Sequence, residues 1–497
     1  MKKYLYNTIL LTAFLTIIIS CSDDFVERPV EYSIDSENYF NSKAEYESAL
    51  IGAYDLLQST AINVLMSEIA SDNSLCGGNS PTDVPSYQQI DDMIHTPVNV
   101  MLKKSWDFMF AGIQRCNYIL EFKDKTEFEG KDQIIAETRF LRAYYHFELV
   151  KWFGGIPMKG DERFVPGDET TIPRSSVEEV YASIYEDLIF ASENLDPVAY
   201  EQGRATRGAA LALLGKAYLY EASSTNQVAK YELAASTLQK VINSGLYTLV
   251  QNYDEIFEMD GENGPESVFE VQYTDVEGAS YGQEQYFEGN VMVGYSGPYG
   301  YEGPLFTAGN NFNLPVQEVV DAFEEDDLRK DVTILDMISW MEETGATYTI
   351  QHENTFYFNR KYIPRKRSEN AALDLKLTNP NNYRAIRYSD VLLMAAEAYS
   401  KSGNDAKAAE YLNVVRDRAF GDQNHRITYT GSNLYNAILA ERRVEFAGEG
   451  LRFFDLVRTG RAAQEIDGFT ANKNELFPIP LEEIQFSNGN WNQNPGY

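Results

Sequence analysis

The chain is poor in the residues that most often do chemistry. Three cysteines and four histidines are spread over 497 residues. The histidines, His95, His146, His352 and His425, have no ligand spacing, and no H-E-x-x-H, G-x-S-x-G, Walker loop or C-x-x-C is present. The common zinc, nucleophile-elbow, nucleotide and dithiol chemistries therefore have no foothold, and no cofactor or metal is expected. Positive charge is scarce as well: 42 Lys and Arg stand against 75 Asp and Glu, a formal charge of −33. Binding a polyanion needs basic surface to displace counterions, which argues against nucleic acid as a partner. A glycosidase needs only two carboxylates facing across a cleft, so among so many acids composition leaves that class standing.

The N-terminus carries an address. Lys2 and Lys3 precede an apolar run from Leu10 to Ile19, broken only by Thr12 and Thr16, and Ser20 then meets Cys21. The run is too short to span a bilayer, and the pattern is that of a secretory signal, so residues 1–20 are expected to be removed. Residues 21–37 are polar and read as an extended tether. Beyond Cys21 only Cys76 and Cys116 are left, in a disulfide-permitting compartment. Whether they pair is open; Cys116 lies in an apolar helical run and reads as a small core residue.

What the chain has in quantity is helical periodicity. In Ala136–Met158, AETRFLRAYYHFELVKWFGGIPM, the apolar residues recur at helical spacing, and Gly154-Gly155-Ile156-Pro157 stops the helix. Arg139 and Arg142 sit among these aromatics, where a guanidinium lies on a ring or forks onto a carboxylate such as Glu137 or Glu148. Tyr46 to Leu57 forms another stripe, with Ser42 as a cap, and Trp106 belongs to a third helix as a core residue. Residues 74–99 lose periodicity and read as a long surface loop. Val177 to Leu195 is amphipathic, capped by Ser175 or Ser176.

Two stretches follow the tetratricopeptide spacing. Leu211, Leu214, Gly215 and Tyr218 are followed by Ala234, Leu238 and Val241, and Leu392, Ala396, Tyr399 and Gly403 by Ala408, Leu412 and Val415. With the pairs 136–150/177–195 and 40–58/433–447 beside them, about four helix pairs are expected. The fold class is mostly α: a tetratricopeptide-like helical-pair scaffold with long irregular loops and a few short strands. In Ala437–Gly460, arginines flank Glu441, Glu445 and Asp455, which favours structural ion pairs over a general acid. Residues 246–390 carry little helix outside 315–343. Val268 to Tyr273 alternates like a strand, and Tyr281, Tyr286, Phe287, Tyr295, Tyr299, Tyr301 and Phe306 crowd a glycine-rich stretch. Exposed rings among amides and carboxylates suit sugar rings; the same rings could pack onto the helices as a lid.

The run FLRAYYHFELV ending in WFGGIP, the helix KSWDFMFAGIQRCNYIL and the ending FPIP with QNPGY resemble the SusD/RagB family of nutrient-binding outer-membrane lipoproteins. Ile18-Ile19-Ser20-Cys21 is similar to a bacterial lipobox, and Ser22-Asp23-Asp24 to an export signal for the outer surface. The resemblance implies one domain over 38–497, acylation of Cys21, and attachment to the cell outer membrane facing the exterior. It implies noncovalent capture of an oligosaccharide by loops over the scaffold and delivery to a SusC-like TonB-dependent outer-membrane transporter. Carried onto this chain, the ligand-binding positions are Asp72, Asn73, Tyr87, Tyr295, Tyr299 and Trp340, in and beside a loop-rich region at 246–390. A peptide receptor of the RagB type is the alternative, and no catalytic residue is expected.

Overall fold

A computed structural model describes residues 39–497, except 277–287, 366, 368–371, 373 and 375. The secretory signal, Cys21 and the tether lie outside the described residues, as do Tyr281, Tyr286 and Phe287.

Helix α1 (Lys43–Asp55) begins where Glu45 reaches back to the Ser42 N–H at 3.0 Å. It leads into α2 (Thr60–Ile69), strand β1 (Ser74–Leu75), the short α3 (Pro85–Asp91), α4 (Val100–Glu121) and α5 (Lys131–Phe153). The amphipathic α6 (Val177–Asn194) opens on a reciprocal cap in which Ser176 accepts from Glu179 N–H and Glu179 accepts from Ser176 N–H. Then come α7 (Arg207–Thr225) and α8 (Val228–Asn243). The irregular middle holds β2 (Ser267–Val271), α9 (Val291–Ser296), β3 (Leu314–Pro315), β4 (Ile334–Asp336), α10 (Met337–Thr344), β5 (Tyr357–Asn359) and β6 (Tyr383–Arg387). The chain returns to helix in α11 (Tyr388–Lys401), α12 (Asp405–Phe420), α13 (Gly431–Glu445) and α14 (Arg452–Arg458).

Four helix pairs stack in order among the described residues: α1 on α4, α5 on α6, α7 on α8, α11 on α12. Each pair leans on the next through α4–α5, α6–α7 and α8–α11, and α13 extends the stack against α11 and α12. The expected number of pairs holds, but 40–58 does not pair with 433–447. Its partner is α4, because the irregular 74–99 stretch is short enough to return the chain alongside α1. That stretch is also no open loop: β1 and α3 fold within it, and Tyr87, Ile90 and Met93 are buried.

Helix α5 is the axis of the stack, with Phe140, Tyr145, Phe147, Trp152 and Phe153 buried. Its arginines find other partners than Glu137 and Glu148. Arg142 forks onto Asp187 of α6 at 2.7 and 2.8 Å and reaches Asp161 at 2.9 Å, while Arg139 lies 4.7 Å over the Phe190 ring. Ionic pairing across the α5–α6 contact fixes the register that apolar packing alone would leave loose. Cys76 and Cys116 are both free and buried, and Trp106 is in the core.

Three two-stranded antiparallel ladders, β1–β3, β2–β6 and β4–β5, join the irregular middle to itself and to the helices. A small separate core of Tyr301, Phe306, Leu314, Leu335, Met337, Ala346, Phe358 and Ile363 makes the middle a layer in its own right.

Candidate functional site

The layer is fastened to the scaffold where α2 ends. Asp72 is gripped by Arg452 at 2.7 and 2.8 Å and by Arg443 at 3.1 Å. Asn73 accepts from Arg443 Nε at 2.9 Å and, through its carbonyl, from Val316 N–H at 3.0 Å. These two residues brace the root of the β1–β3 ladder, and the Asp72 carboxylate is already neutralised by two guanidiniums.

For Tyr87 and Tyr295 the packed alternative holds: the two rings retain 1% and 5% of their surface. With Phe312 they form an edge-to-face trio, centroids 5.5 to 5.8 Å apart, that seals α3 against α9. Glycine is the reason. A Cβ on Gly294 would lie 1.4 Å from the Lys376 carbonyl oxygen, and one on Gly309 2.4 Å from the Gly297 Cα. Glycines there let backbones touch, so the segment packs tightly and draws its rings inward.

Tyr299 and Trp340 behave differently and stay half-exposed. The Tyr299 carbonyl accepts from Thr349 N–H at 2.8 Å, and Lys376 Nζ stands 4.7 Å over its ring. Lys376 also donates to Asn310 Oδ1 at 3.1 Å. On α10, Trp340 rests on Phe306 at 5.5 Å and donates from Nε1 to Tyr301 Oη at 2.9 Å, while Tyr301 donates onward to the Pro304 carbonyl at 2.8 Å. Trp340 is thus both wall and surface: one face packs on the small core and its orientation is locked by a hydrogen bond.

The sequence reading missed three neighbours. Tyr348, half-exposed, donates to Asn354 Oδ1 at 2.9 Å and sits edge-on to Phe358. The alternation in 346–350, Ala-Thr-Tyr-Thr-Ile, was its only signal. Lys376 reaches the Tyr299 ring from far away in sequence and ties it to Asn310 of the same loop, and nothing in either local stretch announces it. Of the six positions, then, Asn73, Tyr87 and Tyr295 are buried, Asp72 is half-buried at the root of the layer, and Tyr299 and Trp340 lie half-exposed.

Below the layer the charges are structural. Glu441 pairs with Arg329 at 2.6 Å and with Arg416 at 2.7 Å. Asp455 pairs with Arg442 at 2.8 Å and Arg458 at 2.7 Å; burial pushes its carboxyl up, but the two guanidiniums outweigh this and hold it at about 2. Burial pushes Glu445 up too, yet Arg418, Arg387 and Arg329 hold it well below the usual carboxylate range. Glu445 and Asp455, so held, keep no proton to donate near neutral pH, in line with the structural ion pairs expected of this segment.

Residues 243–497 match the family model described as the SusD family, and residues 24–219 match one described as starch-binding associating with outer membrane. The chain belongs to the SusD family. Similarity extends end to end: SusD-like protein P2 of Formosa agariphila is 25% identical, covering 100% of both chains. The starch-binding protein SusD of Bacteroides thetaiotaomicron is 24% identical over 86% of this chain and 84% of its own. Among solved structures, a laminarin-binding SusD-like protein superposes with a TM-score of 0.83 at 32% identity, covering 92% of this chain and 100% of its own. Surface glycan-binding protein A of B. thetaiotaomicron, solved with laminarihexaose, gives 0.81 at 25% identity, over 91% and 99%. The helical-pair scaffold and the loop layer described above are therefore the SusD fold.

Proposed function

We propose that this chain is an outer-membrane surface protein that captures glycan noncovalently on its loop layer, at the half-exposed rings of Tyr299 and Trp340. The observation that carries the reading is the whole-chain likeness, 32% identical at a TM-score of 0.83, to a laminarin-binding relative. The geometry supports it: two immobilised aromatic faces with an ammonium and an amide beside one of them offer stacking for the apolar side of a sugar and donors for its hydroxyls. Acylated Cys21 would hold the protein to the membrane, and a SusC-like TonB-dependent barrel would receive the glycan.

Calorimetry with laminarihexaose and with malto-oligosaccharides tests the ligand. Replacing Tyr299 and Trp340 together by alanine is expected to weaken binding at least about tenfold, since each stacking ring contributes on the order of 1 kcal/mol or more. Unchanged affinity in that double variant would remove the site from the loop layer. Saturable binding of peptides with no response to glycans would move the assignment to the peptide-receptor class. Loss of membrane association and of palmitate labelling in Cys21→Ala, and co-purification with a barrel in mild detergent, test anchor and partner.

A further inference from the structure

A cavity lies among the helices, lined by no residue of the loop layer. The ends of α5, α7 and α11, together with Phe454–Gly460 and Glu475–Leu476, enclose about 540 Å³, within the range of small-molecule sites. Its walls are tyrosine: Tyr181, Tyr220, Tyr231 and Tyr435. Three cations line it, Lys151, Lys401 and Arg458, against the single lining carboxylate of Glu475.

The cations are not equivalent. Arg458 is committed to Glu397 at 2.6 and 2.7 Å, and Lys151 to Glu148 at 2.6 Å. Lys401 makes no ion pair or hydrogen bond among the described residues; its ammonium stands 4.7 Å over the Tyr435 ring and 5.6 Å over Tyr231. The Tyr220 hydroxyl is buried with no hydrogen-bond partner, and the hydroxyls of Tyr181 and Tyr435 have none among the described residues either. Buried polar groups ordinarily find partners, and a ring of unspent donors around an aromatic hollow is the signature of a site built for a ligand. The free ammonium asks for an anion, the tyrosine faces for an apolar ring face, and the unpartnered tyrosine hydroxyls for the hydroxyls of a polyol.

We propose that this cavity binds an acidic sugar, a pyranose bearing a carboxylate, with the carboxylate on Lys401 and ring hydroxyls on Tyr181 and Tyr435. Calorimetric titration of the purified protein with sodium D-glucuronate is the test, with D-glucose as the uncharged control. Saturable binding of glucuronate is expected, weakened at least about tenfold in Lys401→Gln and in Tyr435→Phe, both half-exposed positions, with thermal melts of the two variants checking that each is folded. A uronate-ended disaccharide titrated beside the monosaccharide distinguishes the sources: tighter binding of the disaccharide assigns the site to polymer ends, equal binding to the free acid. Absence of saturable heat, an equal response to glucose, or full binding retained in folded Lys401→Gln would overturn the assignment.

Discussion

Asp91 illustrates how much one side chain beneath the loop layer can set. It accepts the Cys76 N–H at 2.9 Å from inside the fold. Burial pushes its carboxyl up to about 7; Asp92 and Glu353 add to the rise, and the Cys76 hydrogen bond opposes it. In the unfolded chain the same group titrates near ~3.9, so between the two values the native state keeps a proton that the unfolded state releases. Stability from this group is fully present below ~4 and declines as pH rises through about 7. Glu68 and Glu262, also raised to about 7 chiefly by burial, act in the same direction. Asp91→Asn keeps a carbonyl for Cys76 and removes the titration. Thermal melts between about pH 4.5 and 7.5 should show the variant losing less stability than wild type as pH rises. Parallel profiles would mean that Asp91 is ionised in the native protein throughout that range.

At the scale of elements, the helix pairs depend on small residues where axes approach. Gly215 of α7 is such a residue: a Cβ there would fall 2.5 Å from Leu238 Cγ on α8. Gly215→Leu should cost about 1–3 kcal/mol through overpacking. Gly52 on α1 is the contrast, with nothing within 4 Å of its Cβ position, and Gly52→Ala should gain up to about 1 kcal/mol from helix propensity. Chemical denaturation of both variants checks the opposite signs; equal effects would mean that the α7–α8 contact yields freely. This contact was legible in the sequence, because Gly215 and Leu238 stand at repeat spacing and a helix's period survives in its residues. The α1–α4 pairing was not, since a stripe of apolar residues announces a buried face without naming what covers it. Which rings of the tyrosine loop are exposed stayed open in the sequence for a related reason. Glycine reads as openness in one dimension, whereas Gly294 and Gly309 exist so that two strands of backbone can touch, and only the fold supplies the second strand.

For the molecule as a whole, the question is what keeps a loop layer with its own small core from working loose on a helical stack. The answer is an ionic knot between them. Arg387, at the end of β6, bonds Glu266 at 2.6 Å, Glu445 at 2.9 Å and Glu449 at 2.7 Å. Arg329 joins Glu445 at 2.9 Å from the layer, Arg418 does so from α12 at 2.6 Å, and Lys361 holds Glu449 at 2.7 Å. All these side chains are buried, so each charge relies on the others. Arg387→Met removes one cation and leaves Glu445 and Glu449 short of compensation, which should cost about 3–5 kcal/mol. Glu449→Gln in the same chain should recover part of that loss by removing one stranded carboxylate, a coupling that a double-mutant cycle in denaturant measures. Purely additive effects would mean that each pair stands alone. The same knot bears on ligand capture, because Arg329 and Lys361 flank the segment carrying α10 and Tyr348. Hydrogen exchange in Arg387→Met should therefore quicken first at residues 330–360, with α5 protected longest. Uniform quickening across the chain would instead place the knot in the common core, and the rings of Tyr299 and Trp340 would owe their positions to local packing alone.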